Sequence, residues 1–91
     1  MRFTWDERKR RTILRERGID ILHAARIFDG PVLTTADTRH QYGEDRYITI
    51  GKVKEEFFVV VHTPRKDAYH LITAWRAGRR TRRRYQERYP G

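Results

Sequence analysis

The chain has 91 residues, 37% of them hydrophobic, 36% charged and none of them cysteine, which suits one small folded domain over residues 1–91 and excludes a disulfide framework or a thiolate metal site. Its formal charge of +9 is unevenly placed: residues 1 to 17 carry seven bases and three acids, residues 18 to 74 seven and eight, and residues 75 to 91 seven and one. Two basic ends around a neutral middle favour a partner with regularly spaced negative charge, nucleic acid above all, while the bland alternative is a set of solvated helix faces.

The longest apolar run, Phe57 to Val61, is too short to span a bilayer, and the first five residues hold no apolar signal core, so a cytoplasmic protein without a membrane contact is expected. Asp6 is placed to cap a helix that runs to Arg17, and Gly18 to end it in a left-handed turn. On that helix Arg8, Arg11 and Arg15 make a basic stripe, while Trp5, Lys9 and Ile13 form a separate row. Asp20 is placed to cap a second helix whose apolar positions Ile21, Leu22, Ala24, Ala25, Ile27 and Phe28 mark it as core, ending at Asp29-Gly30-Pro31.

Val32 to Thr34 reads as a short strand and Ala36 to Glu44 as a polar loop. Three strands with short turns follow: Asp45 to Val53, Glu56 to Thr63, and Ala68 to about Trp75. Simple alternation in the last puts Tyr69, Leu71, Thr73 and Trp75 on one face and His70, Ile72, Ala74 and Arg76 on the other. An arginine-rich helix from Gly78 to Tyr89 closes the chain, with Tyr85 and Tyr89 placed to dock it. The class expected is α+β: two N-terminal helices, an antiparallel sheet of three to four strands and a C-terminal helix.

His23, His40, His62 and His70 have no zinc-ligand spacing, and no phosphate-binding loop, serine elbow or cysteine nucleophile is present. The expectation is no metal and no cofactor. What the composition does supply is arginine beside histidine and glutamate. RNA cleavage needs no protein nucleophile, because the 2′-hydroxyl attacks the adjacent phosphorus once a base takes its proton and cations hold the phosphate oxygens. Trp75, with Arg76, Arg79 and Arg80 behind it, suits base stacking next to a phosphate, although core packing at a strand end is an equal account. The same charges would also serve a non-enzymatic RNA- or DNA-binding module, or an interface for an acidic protein.

Six blocks of sequence, taken together, resemble the BrnT toxin family: Trp5-Asp6-Glu7 with Lys9; Gly18-Ile19-Asp20; Ala24 to Asp29; Gly43 to Gly51; Val59 to Thr63; and Ile72-Thr73-Ala74 leading to Ala77, Arg79-Arg80 and Arg82 to Tyr85. The resemblance implies a RelE-like fold, a metal-independent endoribonuclease that blocks translation, and a BrnA-like antitoxin partner that carries a DNA-binding domain. It further implies Lys9, Arg46, Arg76, Arg79 and Arg80 as phosphate or transition-state contacts, and Glu44 and His62 as proton carriers. Arg8, Arg11, Arg15, Trp75, Arg79 and Arg83 are expected along the RNA path. The chain departs from the family pattern at Ile13, Glu16 and Arg17, and again around Trp75 and Gly78.

Overall fold

In the computed structural model, which describes residues 1–91, helix α1 spans Glu7–Arg17 with the caps its sequence signals. The Asp6 carboxylate accepts the backbone N–H of Arg8 at 2.9 Å and of Lys9 at 3.3 Å, and Gly18 ends the helix at φ 68°. Asp20 caps α2 (Ile21–Ala24) through the Leu22 N–H at 3.0 Å and also grips Arg10 with two bonds of 2.9 Å, so one carboxylate starts the second helix and ties it to the first. The second helix expected to reach Asp29 instead tightens into a 3₁₀ segment over Ala25–Asp29. Tertiary packing accounts for the change. Near three residues per turn, positions three apart eclipse, and Ala24 and Ile27 both lie wholly buried against the sheet.

The sheet has five strands: β1 (Arg2–Trp5), β2 (Leu33–Ala36), β3 (Tyr47–Val53), β4 (Glu56–Arg65) and β5 (Ala68–Arg76), in the spatial order β1-β5-β4-β3-β2. Strands β2 to β5 form the expected antiparallel meander, and β1 adds a parallel edge beside Ala68 to Leu71. Beyond Leu71 the edge of β5 is taken over by α1, whose Arg17 guanidinium donates to the Ala74 carbonyl and the Thr73 hydroxyl, both at 2.9 Å.

One face of the sheet lies under α1, α2 and the 3₁₀ segment. There Ile13, Ile21, Ala24 and Ile27 pack on Val53, Phe58, Val60, Leu71 and Ala74, and each large side chain so buried contributes about 1.5–3 kcal/mol. Contact is close enough that a Cβ on Gly51 would stand 2.5 Å from the Ile27 Cβ. The opposite face is covered at one end only, by α3 (Arg79–Arg88), through Tyr85 against Ile50 and Val59. The Tyr85 and Tyr89 hydroxyls donate to the carbonyls of Pro31 at 2.9 Å and Val32 at 2.7 Å, which is the docking their spacing suggests.

A β-bulge decides which side chains reach that second face. Val61 pairs with Thr73 but its neighbour His62 pairs with Leu71, so Ile72 is an extra residue on β5. Leu71 and Ala74 therefore both face the helices, and Trp75 turns to the other side, where it packs with Ile50, Val59 and Tyr85. Simple alternation would have kept Leu71 and Trp75 together.

Candidate active site

The partly uncovered face of the sheet is bordered by the inner row of α1, by the loop from Asp37 to Arg46 and by α3. Lys9, Ile13 and Arg17 recur every four residues on α1, so they share the flank that meets β5. Ile13 anchors this flank in the core. Lys9 is left at the rim, where partial burial and the nearby positive charges of Arg46 and Arg17 outweigh Asp6 and lower its ammonium below the usual lysine range.

The loop is organised by Asp37, whose carboxylate has no exposed surface. It receives both guanidinium arms of Arg39 at 2.8 Å, the Arg39 backbone N–H at 3.2 Å and the Tyr42 hydroxyl at 3.2 Å. These donors hold its pKa far below the ordinary carboxylate value, the Arg39 bonds most of all. The Asp37 N–H donates to the Arg46 carbonyl at 2.8 Å, closing the loop at its base. Arg46 then lies over the Tyr42 ring at 3.9 Å, and Arg39 reaches Trp75 on β5, its guanidinium carbon 5.9 Å from the ring centre.

Glu44 stands between two cations, with Arg46 at 3.2 Å and Arg65 at 3.5 Å. His70 completes the group from β5. Its Nδ1 shares a hydrogen bond of 2.8 Å with the Thr4 hydroxyl of β1, and Arg65, Glu44, Asp6 and Lys9 all lie near enough to act on its charge. Burial first, and Arg65 second, lower its pKa below the histidine value of 6.5, so at neutral pH the ring is uncharged and has a nitrogen free to take a proton. Lys9, Glu44, Arg46, Arg65 and His70 thus form one cluster near the start of β5. Trp75 and Arg39 lie roughly 15 Å further along the same face at the strand rise of about 3.3 Å per residue.

The sequence-derived candidates divide into groups. Lys9, Glu44 and Arg46 are brought together. Arg80 is exposed and stands roughly 140° around α3 from the docked Tyr85, on the solvent side of the helix. Arg79 and Arg83, with Arg82 and Gln86, line an outer groove of α3, and Arg8, Arg11 and Arg15 line a second exposed groove on the outside of α1.

Two candidates lie on the helix-covered side. Arg76 pairs with Glu56 at 2.5 Å and covers Phe58 at 5.5 Å, because the bulge turns it to the face that Leu71 shares with the helices. His62 is only 3% exposed. It stacks on Tyr69 at 4.5 Å, meets Phe28 edge-on at 5.2 Å and bonds Thr49 at 2.8 Å, out of reach of a phosphate on the other face. Sequence reasoning missed His70, Arg65, Arg39 and Asp37. The one signal available was a polar loop and a strand ending in arginine, with nothing to say that they converge.

A family model described as "Ribonuclease toxin, BrnT, of type II toxin-antitoxin system" matches residues 5–81. The chain belongs to the BrnT family. It is therefore a ribonuclease toxin, and as a type II toxin it has a cognate antitoxin as its partner. The matched BrnT region holds the whole cluster around His70 together with Trp75, and it ends within α3 at Thr81, short of Arg82, Arg83 and Arg84. No curated protein matches the chain. No helix of this BrnT toxin is long and apolar enough to cross a membrane.

Proposed function

We propose that this toxin cleaves RNA by attack of the substrate's own 2′-hydroxyl, at the cluster formed by Lys9, Glu44, Arg46, Arg65 and His70. One observation carries the proposal: an uncharged, half-buried histidine stands among three cations on the same uncovered face, with a single carboxylate between them. With Nδ1–H donating to the Thr4 hydroxyl, Nε2 of His70 presents its lone pair and takes the proton of the 2′-hydroxyl. The O2′–P bond forms as the P–O5′ bond breaks, and Lys9, whose proton is loosened by partial burial and then by Arg46, gives it to the departing 5′-oxygen. Arg46 and Arg65 hold the phosphate oxygens as charge builds on them. Glu44 keeps both guanidiniums aimed until the phosphate arrives. Arg80, and beyond it Arg79, Arg83, Arg8, Arg11 and Arg15, contact phosphates further along the strand.

The positive charge at the site comes from side chains, and the reaction we propose is metal-independent and cofactor-free. As partner we propose a BrnA-like antitoxin with a DNA-binding domain, its acidic side chains seated on these arginines. The test is cleavage of a defined RNA in EDTA with the product ends mapped. The expected products are a 5′-hydroxyl and a 2′,3′-cyclic or 3′-phosphate, and the rate should rise with pH through a pKa below 6.5 and fall through one below 10.5, as His70 loses and then Lys9 loses its proton. A 5′-phosphate product, or complete loss of cleavage in EDTA, overturns the mechanism.

A further inference from the structure

The cluster at His70 explains how a phosphodiester is cut but offers little to tell one base from another. Roughly 15 Å along the same face, at the strand rise of about 3.3 Å per residue, stands a different arrangement. Trp75 leaves β5 on the uncovered side because of the Ile72 bulge, half-exposed, with its inner part packed in the group of Ile50, Val59 and Tyr85. Over it stands Arg39, whose side chain is 53% exposed and fastened by two bonds of 2.8 Å to the buried Asp37. The fork of two bonds fixes the guanidinium plane as a single bond would not.

The two arginine–aromatic pairs of this loop differ in a telling way. Arg46 lies 3.9 Å from the Tyr42 ring centre, a closed stack, whereas Arg39 stands 5.9 Å from that of Trp75. The guanidinium carbon of Arg39 thus stands about 2 Å further from its ring centre than that of Arg46 does, and a flat base that stacks on the indole widens that space.

The geometry points to a nucleobase slot between the Trp75 indole and the Arg39 guanidinium, held open by Asp37, that seats one unpaired base of the RNA and so gives the toxin its sequence preference. The slot rests on the reading of this face as the RNA-cleaving one. Trp75 and Arg39 touch the base, and Asp37 is a positioning residue acting through Arg39. A strand whose scissile phosphate lies at His70 reaches the slot a few nucleotides away. Only single-stranded RNA can deliver a base here, because a base must be unstacked from its neighbours to enter.

The test uses the Trp5→Phe protein, in which Trp75 is the single indole, titrated with a 2′-O-methyl RNA octamer, which lacks the attacking hydroxyl, and with inorganic polyphosphate, which supplies charge without bases. Quenching of Trp75 by the octamer and none by polyphosphate is expected, and Asp37→Asn should abolish the quenching while salt-dependent binding persists. Trp75→Ala should weaken octamer binding roughly 5- to 150-fold, the range for loss of one base–aromatic stack, with Trp75→Phe restoring most of it. Binding of the octamer, followed by anisotropy, without any change in Trp75 emission overturns the slot. So does Arg39→Gln cleaving a library of RNAs with unaltered sequence preference. The two proposals fail separately: quenching with no RNA cut leaves the slot and removes the cleavage mechanism, whereas RNA cut at His70 without quenching removes the slot alone.

Discussion

His62 and His70 sit on neighbouring strands, and the sheet sends them to opposite faces. His62 points under the helices among Phe28, Tyr47 and Tyr69, with Nδ1 buried and without a partner. His70 points to the uncovered face, bonded to Thr4 and surrounded by Lys9, Glu44 and Arg65. Both pKa values are lowered by burial, to about 4 for His62. A lowered pKa alone therefore does not distinguish a structural from a chemical histidine. What distinguishes them is company: aromatic rings and a threonine for one, ionised groups and an open side for the other.

The comparison breaks most directly by substitution. His70→Gln is expected to lower kcat by about 10²- to 10⁴-fold, the usual worth of a general base, with RNA affinity little changed, while His62→Phe keeps activity near that of the parent. An equal loss in both would erase the division between the faces. Arg46 and Arg76 make the same contrast for the cations. Arg46→Ala should cost about 10²- to 10³-fold in kcat/KM, as for loss of a transition-state donor, and Arg46→Lys should not restore it, because an ammonium lacks the fork. Arg76→Ala, on the helix-covered side, should leave turnover within a few-fold; steady-state kinetics on one RNA decides both.

His62 supplies the smallest expected effect. Folded, its ring stays neutral down to about pH 4, whereas the unfolded chain begins to bind that proton at 6.5. Stability from this group is thus complete above 6.5 and is lost as pH falls from there to about 4, by roughly 3 kcal/mol in all. Urea unfolding across that interval should show the fall in the parent and a flatter profile in His62→Phe, and parallel profiles would place the acid sensitivity elsewhere.

Much of this was legible where a signal is local. Asp6 and Gly18 bracket α1, and Tyr85 and Tyr89 dock α3 because their spacing of four residues leaves one side for the sheet. Strand β1 was not legible: four residues before a cap carry no turn or alternation, and their pairing with β5 is parallel and some 66 residues away in sequence. In the site, Lys9, Glu44 and Arg46 came from the family resemblance. The loop that carries Arg39 gave no sign of crossing the sheet, since the organising carboxylate, Asp37, is an ordinary polar loop residue until it is buried. Trp75 and Arg76 were assigned to the wrong sides relative to Leu71 because one unpaired residue reverses every alternation after it.

That same residue has a bearing on how chains of this kind can vary in length. Removing Ile72 would leave Leu71 opposite His62 and Thr73 opposite Val61, the pairs they already form. Both halves of β5 would keep their faces. A shorter chain could thus carry the same surface, and relatives compared by counting residues across this point would be set one position out of step, with Trp75 matched to a side chain that faces the helices.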